Sequence, residues 1–507
     1  MTTLARLRSW LLRPTAALPL DIFRIAVGLL SLAYFIRTLA ETADISSPNG
    51  LIDHAFSARV LWFTRIGLFQ PGISASALQA IFAGACVLAL FVTIGFRVKL
   101  SAAALYLIAV STYRWNYLVT YVDDSIVHLL LFWILLLPVG RTLILYPPFL
   151  NRAGIWREWV RQEVPGVTLR CLLWNVTLLY AVAGFWKWSS PMWRSGAALL
   201  AILQLPIAYA PDFWGPDQVT LLRVMNYWAL VLECAFPLLL LLPLNRWLRY
   251  GLLASLVAFH GGIIGTLRIP FANLACLALL PLLLRGEIMR WARRGESAPV
   301  PVASATSLGS SGWTAVLFVT TLTLAMASSV TMPNWRAASR PGNSNTAITT
   351  AVRPNSVVEG LGPVQFVFYS ALWTVGMAQQ YQLFNWIDDR NYHIEYEAYR
   401  SDLQPVNVEE IFPRAIRSIL LQAYLFGISW AQIPVAEQAG LRRTLYTRFA
   451  RRYCRPRHRD GDEVLVYAKV RRVTAANPMS GPVDRSLMMR FRCEPDETRL
   501  LTVNLVP

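Results

Sequence analysis

The chain has 507 residues, 55% of them apolar and only 15% charged, with a net charge of +18. So large an apolar excess excludes a water-soluble globule, whose surface could not hide it. A large α/β enzyme with buried strands is excluded as well, because the apolar runs are about 16 to 24 residues long and strands need only four to eight.

In chain order the runs predict an all-α polytopic membrane bundle of about nine transmembrane helices, at 22–36, 78–96, 100–118, 126–143, 168–188, 219–242, 251–264, 271–284 and 313–330. The last is diluted by Thr314, Thr320, Thr321, Thr323, Ser328 and Ser329, whose hydroxyls can bond their own helix backbone. Lys and Arg divide unevenly between alternate loops: fifteen, from Arg6 to Arg294, fall on one side, against Arg59, Arg65, Arg194 and Arg268 on the other. The positive-inside rule then puts the N-terminus in the cytoplasm, and an odd number of spans puts the tail outside, in a multi-pass protein of the cell inner membrane. The opening MTTLARLRSWLLRP carries basic residues but no small-residue cleavage site, so no removable signal peptide is read there. Much of the net charge is thus orientation signal and contact with the lipid bilayer, and no nucleic-acid partner is implied.

The chain divides into two domains, a transmembrane domain at 1–330 and an extracytoplasmic C-terminal domain at 331–507. Segments 38–77 and 189–217, with their SSPNG, PMW and PDFWGPD turns, are long external loops that could roof a cavity. Trp156, Trp159 and Val160 beside Arg152, Arg157 and Arg161 suit a helix lying at the cytoplasmic interface. A small, polar, proline-bearing linker begins at Glu296. The tail reads as a small α+β domain, with a docked apolar helix at 364–378, a strand in NYHIEYEAYR, an amphipathic helix around 414–426, and paired strands in EVLVYAKVRRV and SLMMRFRCE. The basic tract from Arg442 to Arg459 fits anionic lipid or an acidic peptide, or a solvated helix face. Cys86, Cys171, Cys234 and Cys276 fall in spans as packing residues, whereas Cys454 and Cys493 are the tail's one pair and could bridge in an oxidising compartment.

Ionisable residues inside spans are costly and therefore functional candidates: Arg24, Arg114, His128, Arg170, Lys187, Arg223, Glu233 and His260. Arg114, Arg170 and Arg223 lie within snorkelling reach of span ends. Lys187, in YAVAGFWKWSSPMWRSGAAL, sits among Trp186, Trp188 and Trp193. In a dry cavity such a lysine becomes a neutral amine and a general base, while at the interface it would snorkel between belt tryptophans. Glu233 needs a cationic or imidazole partner, with Arg24, Arg223 and His260 the candidates in that order.

Five stretches resemble the membrane domain shared by vitamin K-dependent γ-glutamyl carboxylases and their bacterial relatives, the HTTM domain. They are FRIAVGLL around Arg24, DDSIVHLLLFWILLLPVG, the Lys187 stretch, VLECAFPLLL, and AFHGGIIGTLRIPFANLACLALLPLL. AQQYQLFNW extends the likeness to about residue 386. The most specific element is Ala-Gly-x-x-Lys followed by Trp and Gly, which also resembles small quinone-linked DoxX-like proteins. The resemblance implies that Lys187 deprotonates a reduced isoprenoid quinone of vitamin K type. It further implies catalytic roles for His260, Glu233 and Asp124, and quinone contacts for Arg24, Trp186, Trp188 and Trp193. Asp124 stands where the carboxylases carry the histidine of an Asn-His-Ser triplet, and there it could hold the Lys187 amine or accept its proton. Trp186 replaces the first of their two adjacent lysines, and the tail is shorter than the animal enzymes' lumenal region.

Two functions are implied. One is a quinone-linked carboxylase or oxidoreductase, with a peptide or protein substrate at the external face. The other is a non-enzymatic protein using the same cavity for lipid or peptide binding, immunity or transport. No phosphate loop, dinucleotide fingerprint or His-rich metal pattern occurs, so neither nucleotide nor metal is expected.

Overall fold

Pro138 and Pro281 interrupt two of the nine apolar runs: a helix stops at Leu136 just ahead of the first, and the second lies in the opening turn of a new short helix. The computed structural model describes residues 9–55, 66–116, 119, 121–145, 155–241, 244–294, 309–331, 371–372, 374–377, 391–417, 419, 435–473, 483–495 and 498–503. Most of the proposed helix at 364–378 and of that at 414–426 lies outside these residues. The chain is mainly helical with a small sheet region, and it has the build of a multi-pass membrane protein.

The long helices are α1 (Ala17–Ala40), α2 (Ala75–Ile94), α3 (Val98–Trp115), α4 (Val122–Leu136), α6 (Val167–Ser189), α9 (Val219–Leu241), α10 (Arg246–Thr266) and α14 (Gly309–Thr331). Short α5 (Ile155–Arg161) precedes α6, and α7 (Pro191–Ser195) and α8 (Ala198–Leu203) come after it. Ser74 caps α2 by accepting from Ala77 N (3.1 Å), and Gly95 ends it at φ 89°. Among the described residues six helices are long and apolar enough to cross a membrane: Ala17–Ala40, Ala75–Ile94, Val167–Ser189, Pro216–Leu239, Arg246–Thr266 and Gly309–Ala327. Val231, Val257 and Leu317 remain exposed on these helices, the apolar outer face that lipid requires.

The other three expected spans differ in form. α3 has 18 residues and holds both Lys99 and Arg114. α4 has only 15 and stops ahead of Pro138, so at about 1.5 Å per residue it falls short of a bilayer core. The 271–284 run is broken into α11 (Pro270–Leu277) and α12 (Leu280–Leu283), with α13 (Arg285–Ala292) beyond a 53° bend.

Connections between helices sort into two groups by contact. In one, strand β1 (Thr15–Ala16) pairs with β2 (Glu163–Val164), while Leu18 and Val160 pack with Met289 and Ala292. In the other, Ile45, Leu51, Ile52 and Val119 share a core with the tail. Ile416 of the tail packs with Met192, Leu200 and Leu267.

The tail is a five-stranded antiparallel sheet, order β4-β3-β5-β6-β7, where β3 is Asn391–Arg400, β4 Pro405–Val406, β5 Glu463–Val473, β6 Val483–Cys493 and β7 Thr498–Val503. The expected strands are β3, β5 and β6, and the register pairs Ala398 with Val466 and Val464 with Phe491. Helices α15 (Val408–Ile411) and α16 (Val435–Cys454) pack with it. The basic tract falls partly on α16, a 20-residue helix, in keeping with the reading of the tract as a helix face. Leu445, Phe449 and Tyr453 of α16 are buried against Val464, Met489 and Phe491. Cys454 and Cys493 are bridged, tying α16 to β6 with Cα atoms 5.2 Å apart. The tail is also docked by charge, since Arg448 donates to Gly50 O (2.7 Å) and Arg452 Nε lies 3.2 Å from Asp44 Oδ1.

Candidate functional site

Gly184 lies one turn before Lys187 on α6, and a Cβ there would meet Cys234 Sγ at 3.1 Å and the Glu233 carbonyl carbon at 3.4 Å. The missing side chain thus lets α9 approach α6 closely enough for Glu233 to reach across. Lys187 Nζ donates to Glu233 Oε1 (2.5 Å) and Oε2 (2.6 Å), with both residues buried. The glycine and lysine of Ala-Gly-x-x-Lys thus act together, one admitting the partner helix and the other binding its carboxylate.

Above the pair, α7 folds back after Ser190, and Gly196 ends it at φ 80° against the Arg223 side chain. Trp193 on α7 is buried with its ring 5.4 Å from Lys187 Nζ, within cation–π range. Asn226 of α9 fixes that turn, donating to Trp193 O (2.8 Å) and accepting from Leu199 N (3.2 Å). Beside the lysine, the Trp186 indole N–H and the Ser190 hydroxyl are buried with no hydrogen-bond partner among the described residues.

Two turns earlier on α6, Tyr180 meets His260. Asn273 Nδ2 donates to Ile269 O (2.7 Å), which orients Oδ1 to accept from His260 Nδ1 (2.7 Å). Nε2 is then the acceptor, and Tyr180 Oη donates to it at 2.7 Å. Tyr180 and Cys276 line a narrow, mainly apolar cavity of about 20 Å³, with Asn175 and Leu130 on its wall.

Several expected site residues lie elsewhere. Glu233 is paired with Lys187, not with Arg24, Arg223 or His260. Arg24 is consumed by Asp21 (2.8 Å), Val92 O, Thr93 O (both 2.6 Å) and Leu143 O (2.8 Å), which makes it a staple between α1, α2 and the 140–145 turn. Trp188 is 58% exposed on the outer face of α6, so it does not line the lysine's surroundings. Asp124 does not hold the Lys187 amine: its Oδ1 accepts from Tyr34 Oη (2.5 Å) and Arg417 Nη2 (2.6 Å), and its Oδ2 caps α4 through Tyr121 N (3.2 Å). Asp123 accepts from Ala272 N (2.7 Å) at the start of α11. Among the snorkelling candidates, Arg170 donates to Leu11 O (2.8 Å) and lies over Trp10, and Arg114 donates to Thr374 O (2.9 Å).

Sequence reading passes over Tyr180, Asn226, Asn273 and Arg417. Asn226, an amide in an apolar span, carries a signal, because a buried amide demands partners. Arg417 carries none. Among the described residues no cluster of His, Cys, Asp and Glu is arranged to hold a metal ion. No family model, curated protein or solved structure matches the chain.

Proposed function

We propose that this protein takes a proton from a reduced isoprenoid quinone at the buried Lys187–Glu233 pair, as the first step of a carboxylase-like or oxidoreductase reaction. The observation carrying this reading is the lysine ammonium held on both oxygens of a carboxylate, with a tryptophan ring over it and apolar helices around it. An ion pair in such surroundings can hand one proton across a short hydrogen bond, leaving amine and carboxylic acid. Lys187 as amine then accepts a ligand proton, Glu233 keeps the first, and the regenerated ammonium neutralises the oxygen that lost it.

A quinone fits the side chains present: its ring is apolar, and its oxygen is an acceptor of the kind the unpartnered donors Trp186 N–H and Ser190 O–H require. When bound in reduced form it supplies an acidic hydroxyl and two electrons. Trp193, fixed by Asn226, keeps water from the pair.

The same reading holds nine crossings, with α3, α4 and the broken α11–α12 as the shorter ones. The N-terminus is cytoplasmic at the inner membrane, and the tail lies outside with its peptide-accessible face. The two groups of connections support this, since the tail packs on the loop after α1 and the N-terminus packs with Glu163–Val164. The Cys454–Cys493 bridge also suits an oxidising compartment.

The test is quinol-dependent turnover of purified protein. Lys187→Ala abolishes it, and so does Lys187→Arg, because guanidinium cannot release its proton. Turnover that survives both changes rejects the reading in favour of a binding protein. An impermeant maleimide should label Cys454 and Cys493 in intact cells after reduction, and labelling only after lysis would reverse the topology.

A further inference from the structure

Ser190 occupies a position where serine normally caps a helix. It ends α6 and precedes α7, with the extended backbone (φ −81°, ψ 129°) of an N-cap. Yet its hydroxyl makes no capping bond, and it is buried, at 1% exposure, with no partner among the described residues. A buried hydroxyl left unpaired costs about 1–3 kcal/mol, so a fold that keeps one has it meet a water or a ligand.

Four residues earlier stands Trp186. Residues four apart on a helix face each other, and Ser190 still holds the place the helix assigns it, since its own ψ redirects only the chain from Pro191 onward. The indole Nε1 is also buried without a partner among the described residues, although the half-buried ring packs against the bundle core. Lys187 lies between them in sequence, and Glu233 takes two of its three ammonium hydrogens. Two neutral donors therefore stand one turn apart on α6, within three residues of the proton-accepting lysine.

From this we infer that Trp186 Nε1–H and Ser190 Oγ–H form a two-donor site for one ligand oxygen, placing that oxygen beside Lys187. Indole N–H can only donate, so the matching group is an acceptor. Because neither donor is charged and the Trp186 ring packs on the apolar core, the group is a carbonyl or phenolic oxygen on an apolar ring and not a carboxylate or phosphate, which would draw cationic partners. This rests on the proposed quinone chemistry and assigns its recognition to two positioning residues distinct from the acid–base pair.

Equilibrium dialysis in detergent tests it, with 2,3-dimethyl-1,4-naphthoquinone as probe and 2,3-dimethylnaphthalene as the same ring without oxygens. Ser190→Ala and Trp186→Phe should each weaken quinone binding by roughly fivefold to tenfold, the worth of one buried hydrogen bond, and leave naphthalene binding unchanged. Lys187→Ala should retain quinone binding while losing turnover. Equal loss for both probes would mean a packing defect and overturn the inference, as would unchanged quinone binding in both variants while the parent protein binds it. A parent protein that binds neither probe would reject the quinone reading itself.

Discussion

Lys187 and Glu233 are 46 residues apart on different helices, and the lysine Nζ stands 2.5 and 2.6 Å from the two oxygens of the glutamate. Removing one partner leaves a lone charge in an apolar bundle, whereas removing both leaves a packing fault. Lys187→Met and Glu233→Gln should each lower stability in detergent by about 3–5 kcal/mol, and the double variant should recover part of that loss. Thermal unfolding of the four proteins gives the coupling. Additive losses would mean that the contact contributes nothing.

Close approach of α6 and α9 at Gly184 is what joins the pair. Gly184→Ala places a methyl 3.1 Å from Cys234 Sγ, and should cost about 1–3 kcal/mol through overpacking. It should also abolish turnover although the glycine touches no ligand. Cys234→Ala in the same chain removes the atom that is struck and should restore part of both. Thermal unfolding and turnover of the three proteins check this, and a double variant no better than Gly184→Ala would place the clash elsewhere.

The tail is fastened to the bundle by Arg417, which is fully buried and bonded to Asp124 (2.6 Å), Tyr34 (3.2 Å) and Glu41 (3.3 Å). Arg417→Ala strands Asp124 without its cation, and should loosen the tail so that limited proteolysis releases it sooner. Arg417→Lys should rescue little, because one ammonium cannot span three acceptors with the planar fork. Proteolysis at the rate of the parent protein would show that the docking is carried by the apolar contacts of Ile45, Leu51 and Ile52 with the bonds of Arg448 and Arg452.

Much of this architecture is legible in the sequence and some is not. Long apolar runs reveal α1, α2, α6, α9, α10 and α14 because lipid demands length and leaves no other signature so plain. The shortness of α4 and the break before Pro281 are harder, since hydropathy does not register where a proline ends a helix. Lys187 and Glu233 each stand out as intramembrane charges, but their pairing depends on Gly184 at the crossing, which only three dimensions reveal. Position in a motif draws Asp124 toward Lys187, while its partner Arg417 lies 293 residues onward in the tail, beyond any local pattern. Cys454 and Cys493 are readable as a bridge because the tail has no others.

Acid should weaken the tail through Glu463, whose carboxyl is held below the usual range by hydrogen bonds from Arg492 (2.5 Å) and from Arg490. A depressed folded value means that this stabilisation is complete above the unfolded glutamate value of about 4.3 and is lost as pH falls through the folded value. Glu463→Gln should flatten the dependence of tail unfolding on pH below about 4.5. Parallel curves for the two proteins would assign acid sensitivity to other carboxylates.

The most direct measurement is an anaerobic absorbance titration of 2,3-dimethyl-1,4-naphthohydroquinone bound to the purified protein, tracking ionisation of its hydroxyl against pH. With Lys187 and Glu233 intact, the hydroxyl should ionise at lower pH than in protein-free detergent, because the pair accepts the proton and the ammonium faces the oxygen left behind. Lys187→Ala should bind the probe and return the titration to its protein-free position. Superimposable titrations for the parent protein, Lys187→Ala and detergent alone would contradict proton transfer at this site.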